Sequence, residues 1–335
     1  MNNSPYILAP ATVRGVMLRV LAALLPGIAA YVWFFGAGVL VQIAIASAAA
    51  LAGEAAMLAI RRRPVAMFVG DGSALVTAWL IALTLPPIVP WWATVVAVLF
   101  GIVVTKHLYG GLGQNPFNPA MAAFCIMIVA FPALISQWPP VGQPFHIQLD
   151  LILGGVRNVD AVTGATPLDA LRTALRGGQD VTVSSVIGGA KQIFGLAGGH
   201  GWEWIAVGYL LGGLWMIRQR VISWHIPVAF IAGLGLTALL FHLASPERYA
   251  SPLFHLATGG AMLGAFFIAT DPVSGATTPR GKLIFGAAIG FITFMIRSFG
   301  AYPDGIAFAV LLLNILVPLI DMATQPPVFG RKDKP

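Results

Sequence analysis

Apolar runs of membrane-spanning length dominate the chain, and polar residues are gathered into the short breaks between them. A spanning helix needs roughly 20 mostly apolar residues. The pattern predicts such stretches at 17–35, 38–60, 73–89, 92–108, 118–137, 202–217, 225–243, 254–270, 283–298 and 305–322, the third and ninth being short. One longer loop remains, from 138 to 201. The expected fold class is an all-α integral membrane protein of about ten transmembrane helices. Its expected parts are a five-helix membrane half at 1–137, an extracytoplasmic loop at 138–201 and a second five-helix half at 202–335. The apolar run that follows MNNSPYILAPATVRG is too long for a signal-peptide core and lacks a convincing small-residue cleavage site, so it reads as a retained first helix.

Composition strengthens this picture. Hydrophobic residues make up 58% of the 335 and charged residues 9%, against about 25% charged in an ordinary soluble domain. The net charge of +7 does not describe a nucleic-acid stripe, because the basic residues sit in clusters between apolar runs. Such clusters mark the cytoplasmic side of a membrane. With the N-terminus inside, Arg14, Arg19, Arg61, Arg62, Arg63, Lys106, Arg218, Arg220, Arg280, Lys282, Arg331, Lys332 and Lys334 all fall inside, thirteen of the nineteen basic residues. Four of the others, Arg157, Arg172, Arg176 and Lys191, lie in the long loop, which by its length can cross regardless of charge. Trp91, Trp92, Trp138, Trp202, Trp204 and Trp224 fall near predicted span ends, as interfacial anchors do.

Five spans on each side of the loop would run the second half inverted relative to the first. TKHLYGGLGQNPFNPAMAAF (105–124) and IRSFGAYPDGIAFAVLL (296–312) share a basic residue, an aromatic, glycines and a proline between two spans. Inverted repeats place their sites at the repeat interface, often beside broken helices; a flavin-free channel or transporter would fit that arrangement equally well. The lone Cys125 lies in an apolar run, so the chain by itself forms no internal disulfide and no cysteine-ligated cluster. None of the six histidines pairs at metal-ligand spacing, and no G-x-G-x-x-G stands in a βαβ context for NAD.

Four ionisable residues, Glu54, Lys106, Arg297 and Asp321, lie in predicted spans within about two turns of an end. Snorkelling or end-capping is the simpler account of them. Asp304 follows Arg297 closely enough for an ion pair. The loop carries DAVTGATPLDAL (160–171), where Pro167 can open a helix and Thr166 can cap it. The first amides of that helix favour phosphate, and an ordinary capped surface helix is the other account. GGLGQNPFNPA (110–120) holds two Asn-Pro pairs at the inner membrane edge, either as a turn or as part of a site, with Gln114, Asn115 and Asn118 as candidates.

Asp160, Thr163, Gly164, Ala165 and Thr166 resemble the flavinylation motif, at which a flavin transferase joins FMN through its phosphate to the last threonine. Many members have Ser where Thr163 stands. Together with GQNPFNPA (113–120), ATDPVSGATTPRGKLIFGA (269–287) and IRSFGAYPDGIAFAVLLLNILVPLID (296–321), the chain resembles the D-subunit family of the Rnf (Rsx) electron-transport complex over nearly its whole length. The B subunit of the sodium-pumping NADH:quinone reductase is the related alternative, but it has a longer N-terminal region. The resemblance implies a flavoprotein subunit that relays electrons between reduced ferredoxin and NAD, coupled to sodium or proton movement. It implies covalent FMN on Thr166, room for a noncovalent riboflavin, and a place in a bacterial inner membrane. The implied partners are the A, B, C, E and G subunits, the transferase and membrane lipid, but no nucleic acid; NAD and iron-sulfur chemistry would sit on those subunits. DPVSGATT repeats the motif with Asp271, Ser274, Gly275, Ala276 and Thr277. The transferase that the resemblance implies works outside, and the charge pattern puts 138–201 outside and 271–282 inside, which selects Thr166 and leaves Asp271 and Thr277 as candidates for a second flavin.

Overall fold

A computed structural model describes residues 12–154, 163–177, 181–302 and 304–326. Asp160, Arg157 and the basic residues 331, 332 and 334 lie outside the described residues. The fold is helical, and the described residues contain no sheet, only isolated bridges joining Trp138 to Gly164 and Phe194 to Gly199.

Helices α1 (Val13–Phe35) and α2 (Gly38–Ile60) are continuous and apolar. Thr12 caps α1 by accepting from the Gly15 amide at 3.1 Å, and Gly36 ends it at φ +88°, a value that favours glycine. A short α3 (Val65–Val69) precedes α4 (Ser73–Thr84), which stops at Leu85 because Pro86 and Pro87 follow. Helix α5 (Trp91–Leu99) continues as a π-helix (Phe100–His107). Helices α6 (Pro119–Ala130) and α7 (Pro132–Ile135) are separated at Phe131 before Pro132. The loop folds as α8 (Phe145–Leu153), α9 (Pro167–Gly177) and α10 (Val183–Gly189). The second half holds α11 (Trp202–Arg218), α12 (His225–Ala244), α13 (Pro252–Ala257), α14 (Ala261–Leu263) running on as a π-helix (Gly264–Ile268), α15 (Pro279–Phe299) and α16 (Ile306–Ala323).

Among the described residues, α1, α2, α12, α15 and α16 are the five helices long and apolar enough to cross a membrane alone. Each of the other predicted stretches contains helix, but three of them stop short or break at Pro86-Pro87, at Pro132 and at Gly259-Gly260. Backbone freed by such breaks at membrane depth has to be satisfied inside the protein. Neighbouring side chains supply the partners. At the first break Gln42 donates to the Pro87 and Val89 carbonyls and accepts from Thr94 Oγ1. Around residues 255–260, Arg297 donates to the carbonyls of His255 at 2.6 Å and Thr258 at 3.3 Å. Near the Asn-Pro segment, Asn118 Nδ2 donates to Ile268 O and Asn314 Nδ2 to Ser274 O.

Helix pairing rests on missing side chains. A Cβ on Gly212 would stand 1.9 Å from Ala23 O and one on Gly208 2.7 Å from Pro26 O, so α11 lies directly on α1. Gly290 and Gly286 bring α15 equally close to the backbone of α12 at Phe230 and Ile226. Such spacing is the usual way for helices to associate where no hydrophobic drive separates protein from lipid. The loop is fastened to this frame at both ends. Gln148 of α8 donates to Phe35 O and accepts from Gly38 N at the α1–α2 turn, while Arg172 and Arg176 of α9 donate to Gly300 O at the end of α15.

Candidate functional site

Thr166 occupies the position that the sequence suggested. It precedes α9, its Oγ1 accepts from the Asp169 amide at 3.2 Å, and its carbonyl accepts from Ala170 N at 2.8 Å. The approach to it is held by Gly164, whose amide donates to Trp138 O at 2.7 Å. Pro167 is buried against Gly199, where a Cβ would meet its ring at 2.1 Å. Thr163 and Ala165 belong to this approach and are half-buried and exposed, respectively. Leu168 and Leu171 anchor the helix in a small core with Val183, Phe194, Ala250 and Phe254. The Arg172 guanidinium has its pKa lowered, by burial first and then by the charge of Arg176, with Asp169 acting in the opposite sense.

Thr166 stands on the wall of a cavity of about 470 Å³ that reaches into the membrane helices. Trp138, Trp202, Phe124, Met121 and Ile205 give it an aromatic and aliphatic lining. Trp138 and Trp202 meet edge to face with centroids 4.9 Å apart. These two are cavity walls rather than lipid-facing anchors, whereas Trp91, Trp204 and Trp224 are exposed as expected. Tyr31 and Tyr209 line the same cavity, and their hydroxyls are buried with no hydrogen-bond partner among the described residues.

A second cavity, of about 350 Å³, opens toward the other end of the molecule. It gathers Asn115 and Asn118 with Asp271 and Thr277, two pairs far apart in the chain, along with Ser73, Lys106 and Thr270. Gln114 is exposed and is not on this wall. The Asn118 side chain is largely committed to structure, since its Oδ1 caps α6 by accepting from Ala120 N and Met121 N. Asn115 Nδ2 donates to Phe117 O at 3.0 Å.

The same helices line both cavities. Helix α4 gives Leu80 to the inner one and Leu83 to the outer one, while Phe267 faces one and Ile268 the other. Three residues of α-helix rise about 4.5 Å, so the partition is thin.

The second motif is built differently. Ser274 Oγ donates to Asp271 Oδ2 at 2.7 Å, and Thr277 Oγ1 donates to Asp321 Oδ2 at 2.8 Å. Thr278, the next residue, caps α15 by accepting from Gly281 N at 3.0 Å. The DPVSGATT stretch thus ties the start of α15 to the end of α16, and the Thr277 hydroxyl is already engaged.

Of the ionisable residues in spans, Arg297 and Asp304 form the expected pair at 3.2 Å. Glu54 and Lys106 do not snorkel. Lys106 Nζ lies 2.9 Å from both Glu54 oxygens and 2.9 Å from Ser73 Oγ, and all three side chains are buried. The His107 ring approaches Glu54 to 3.1 Å. The sequence held a hint of this in two opposite charges at similar depth in the second and fourth predicted spans, but nothing along the chain brings those helices together. Asp321 is an end residue, as expected, serving the Thr277 turn.

Comparison with known proteins places these features in a family. The chain is 46% identical over 349 residues to the D subunit of the ion-translocating oxidoreductase complex of Aliivibrio salmonicida, covering 99% of this chain and 98% of that protein. It is 47% identical over 345 residues to the protein of the same description from Vibrio cholerae (strain O395), with 98% of each chain covered. The corresponding protein of Escherichia coli (strain HS) is 46% identical over 353 residues, again with 98% of each covered. The family model that describes NQR2, RnfD and RnfE matches residues 1–330. This all-α multi-pass membrane protein therefore belongs to the NQR2, RnfD, RnfE family.

Proposed function

We propose that this chain is the D-type subunit of an ion-translocating ferredoxin:NAD oxidoreductase complex of the Rnf kind. In this reading it relays electrons through FMN joined by its phosphate to Thr166. The observation that carries the proposal is that Thr166 caps a helix and also stands on the wall of a large aromatic-lined cavity. The group suits the residues present. The Asp169 amide in the first turn of α9 donates to the hydroxyl that would bear the phosphate, where a helix N-terminus favours negative charge. The cavity wall is apolar and aromatic over most of its surface, and two tyrosines on it keep buried hydroxyls without a partner among the described residues.

Bound there, the flavin supplies reversible electron acceptance. The chain's own part is placement. Trp138 and Trp202 wall the ring space, Arg172 and Arg176 hold α9 on the end of α15, and the apolar lining excludes water. The inner cavity, with Asn115, Asp271 and Thr277 on its wall, is the proposed place of a second, noncovalent flavin such as riboflavin. Its separation from the outer cavity by a thin partition supports a relay across the membrane. In the same reading the chain forms two inverted five-helix halves, 1–137 and 202–335, with the loop outside and both termini inside a bacterial inner membrane. The direct packing of α1 on α11, the first helix of each half, supports that pairing.

The test is in-gel flavin fluorescence of the denatured subunit. Thr166→Val is expected to abolish the signal and Thr277→Val to leave it. A fluorescent Thr166→Val band, with loss in Thr277→Val, would falsify the assignment; a dark wild-type band would favour a flavin-free transporter.

A further inference from the structure

Two tyrosines on the wall of the outer cavity keep hydroxyls that have no hydrogen-bond partner among the described residues. Tyr31 is 2% exposed and Tyr209 4%, and neither hydroxyl has a partner among the described residues. A buried phenol normally finds one, and leaving it bare is costly. Both rings are held firmly. Tyr209 lies on Gly27, where a Cβ would come within 2.2 Å of Cε1, and it meets Phe267 edge-on at 5.9 Å. Tyr31 tilts against Phe35 at 5.5 Å. These contacts hold both rings without using the hydroxyls. Tyr31 comes from α1 and Tyr209 from α11, so the α1–α11 pairing sets both tyrosines on the wall of the cavity that Thr166 borders. Two neighbouring phenols without a partner on one cavity wall suit a polar ligand edge.

We infer that Tyr31 and Tyr209 hydrogen-bond the polar edge of the flavin ring carried by Thr166 and raise its reduction potential. The inference rests on the FMN reading above and names the residues that tune that site. Reduction places added electron density on the nitrogen and carbonyl edge of the ring. A neutral phenol donating to that edge stabilises the reduced form more than the oxidised one, and a hydrogen bond to a charged acceptor is stronger than one to a neutral acceptor. The low dielectric of the cavity enlarges the difference.

The experiment uses the assembled complex, with Tyr31→Phe, Tyr209→Phe and the double substitution. The covalent flavin is followed by redox titration as the difference from the Thr166→Val complex. Each single change is expected to leave covalent fluorescence at the wild-type level. Each is expected to shift the balance toward the oxidised ring about tenfold, roughly 30 mV lower for a two-electron couple. Replacing either residue with a fluorotyrosine, a more acidic donor on the same ring, is expected to raise the potential. This second change tests the inference even where Phe lowers the yield. Unchanged potentials in the double variant and the fluorotyrosine proteins, with flavin retained, would overturn the role of the tyrosines and leave the FMN assignment standing. No covalent flavin in the wild-type subunit would overturn both.

Discussion

At the residue scale, two threonines share one sequence pattern and differ in what their hydroxyls already do. Thr166 Oγ1 accepts from an amide and borders open space, whereas Thr277 Oγ1 is spent on Asp321. The pattern alone could not separate them, since the partner of Thr277 lies 44 residues further along. The same scale contains the buried Glu54–Lys106 pair. Removing one member of such a pair leaves an uncompensated charge in a dry interior and typically costs about 3–5 kcal/mol. Glu54→Gln is therefore expected to lower the thermal midpoint of the purified protein markedly. Glu54→Gln with Lys106→Met should recover most of that loss, because no lone charge remains; equal midpoints for the single and double variants would show that the two charges are not coupled.

At the scale of elements, broken helices and close helix pairs explain each other. Two of the three breaks are stabilised by a polar side chain reaching from another helix, Gln42 to the 87–89 backbone and Arg297 to the 255–258 backbone. Such reach needs closely packed helices, and small residues provide it. Gly212 is the tightest of these contacts, with a Cβ placed 1.9 Å from a backbone carbonyl that cannot rotate away. Gly212→Ala should push α11 off α1. Overpacking of this kind costs about 1–3 kcal/mol. Lowered yield of folded protein and a lower melting temperature in detergent are the expected readouts. Gly235→Ala is the control, since a Cβ there would meet only a side-chain carbon at 3.8 Å, and it should behave as wild type.

For the whole molecule, two cavities at opposite ends of shared helices give the proposed relay an axis, and the distribution of basic residues predicts which end faces inward. That orientation is open to direct test. In a Cys125→Ala background, Ser184→Cys in the loop and Arg220→Cys between α11 and α12 place single exposed thiols where the charge pattern predicts opposite sides. An impermeant maleimide added to intact cells whose outer membrane has been permeabilised should label position 184 and spare 220; the reverse result would invert the topology and remove the charge-based preference for Thr166.

The sequence by itself determined that the chain lives in a membrane, where its apolar runs begin and end, and that Thr166 caps a helix, because these depend on composition, local periodicity and capping chemistry. The Arg297–Asp304 pair was legible for the same reason, its members standing seven residues apart across one turn. Only the tertiary structure decided that several apolar stretches are broken rather than continuous helices, because the polar groups that stabilise the breaks come from distant helices. It also decided that Glu54 and Lys106, 52 residues apart, meet in the interior. Trp138 and Trp202, which read as anchors along the chain, were turned to wall a cavity by the same long-range packing. That packing set Tyr31 and Tyr209 on the cavity that Thr166 borders as well, through glycines whose value lies in the neighbour each one admits.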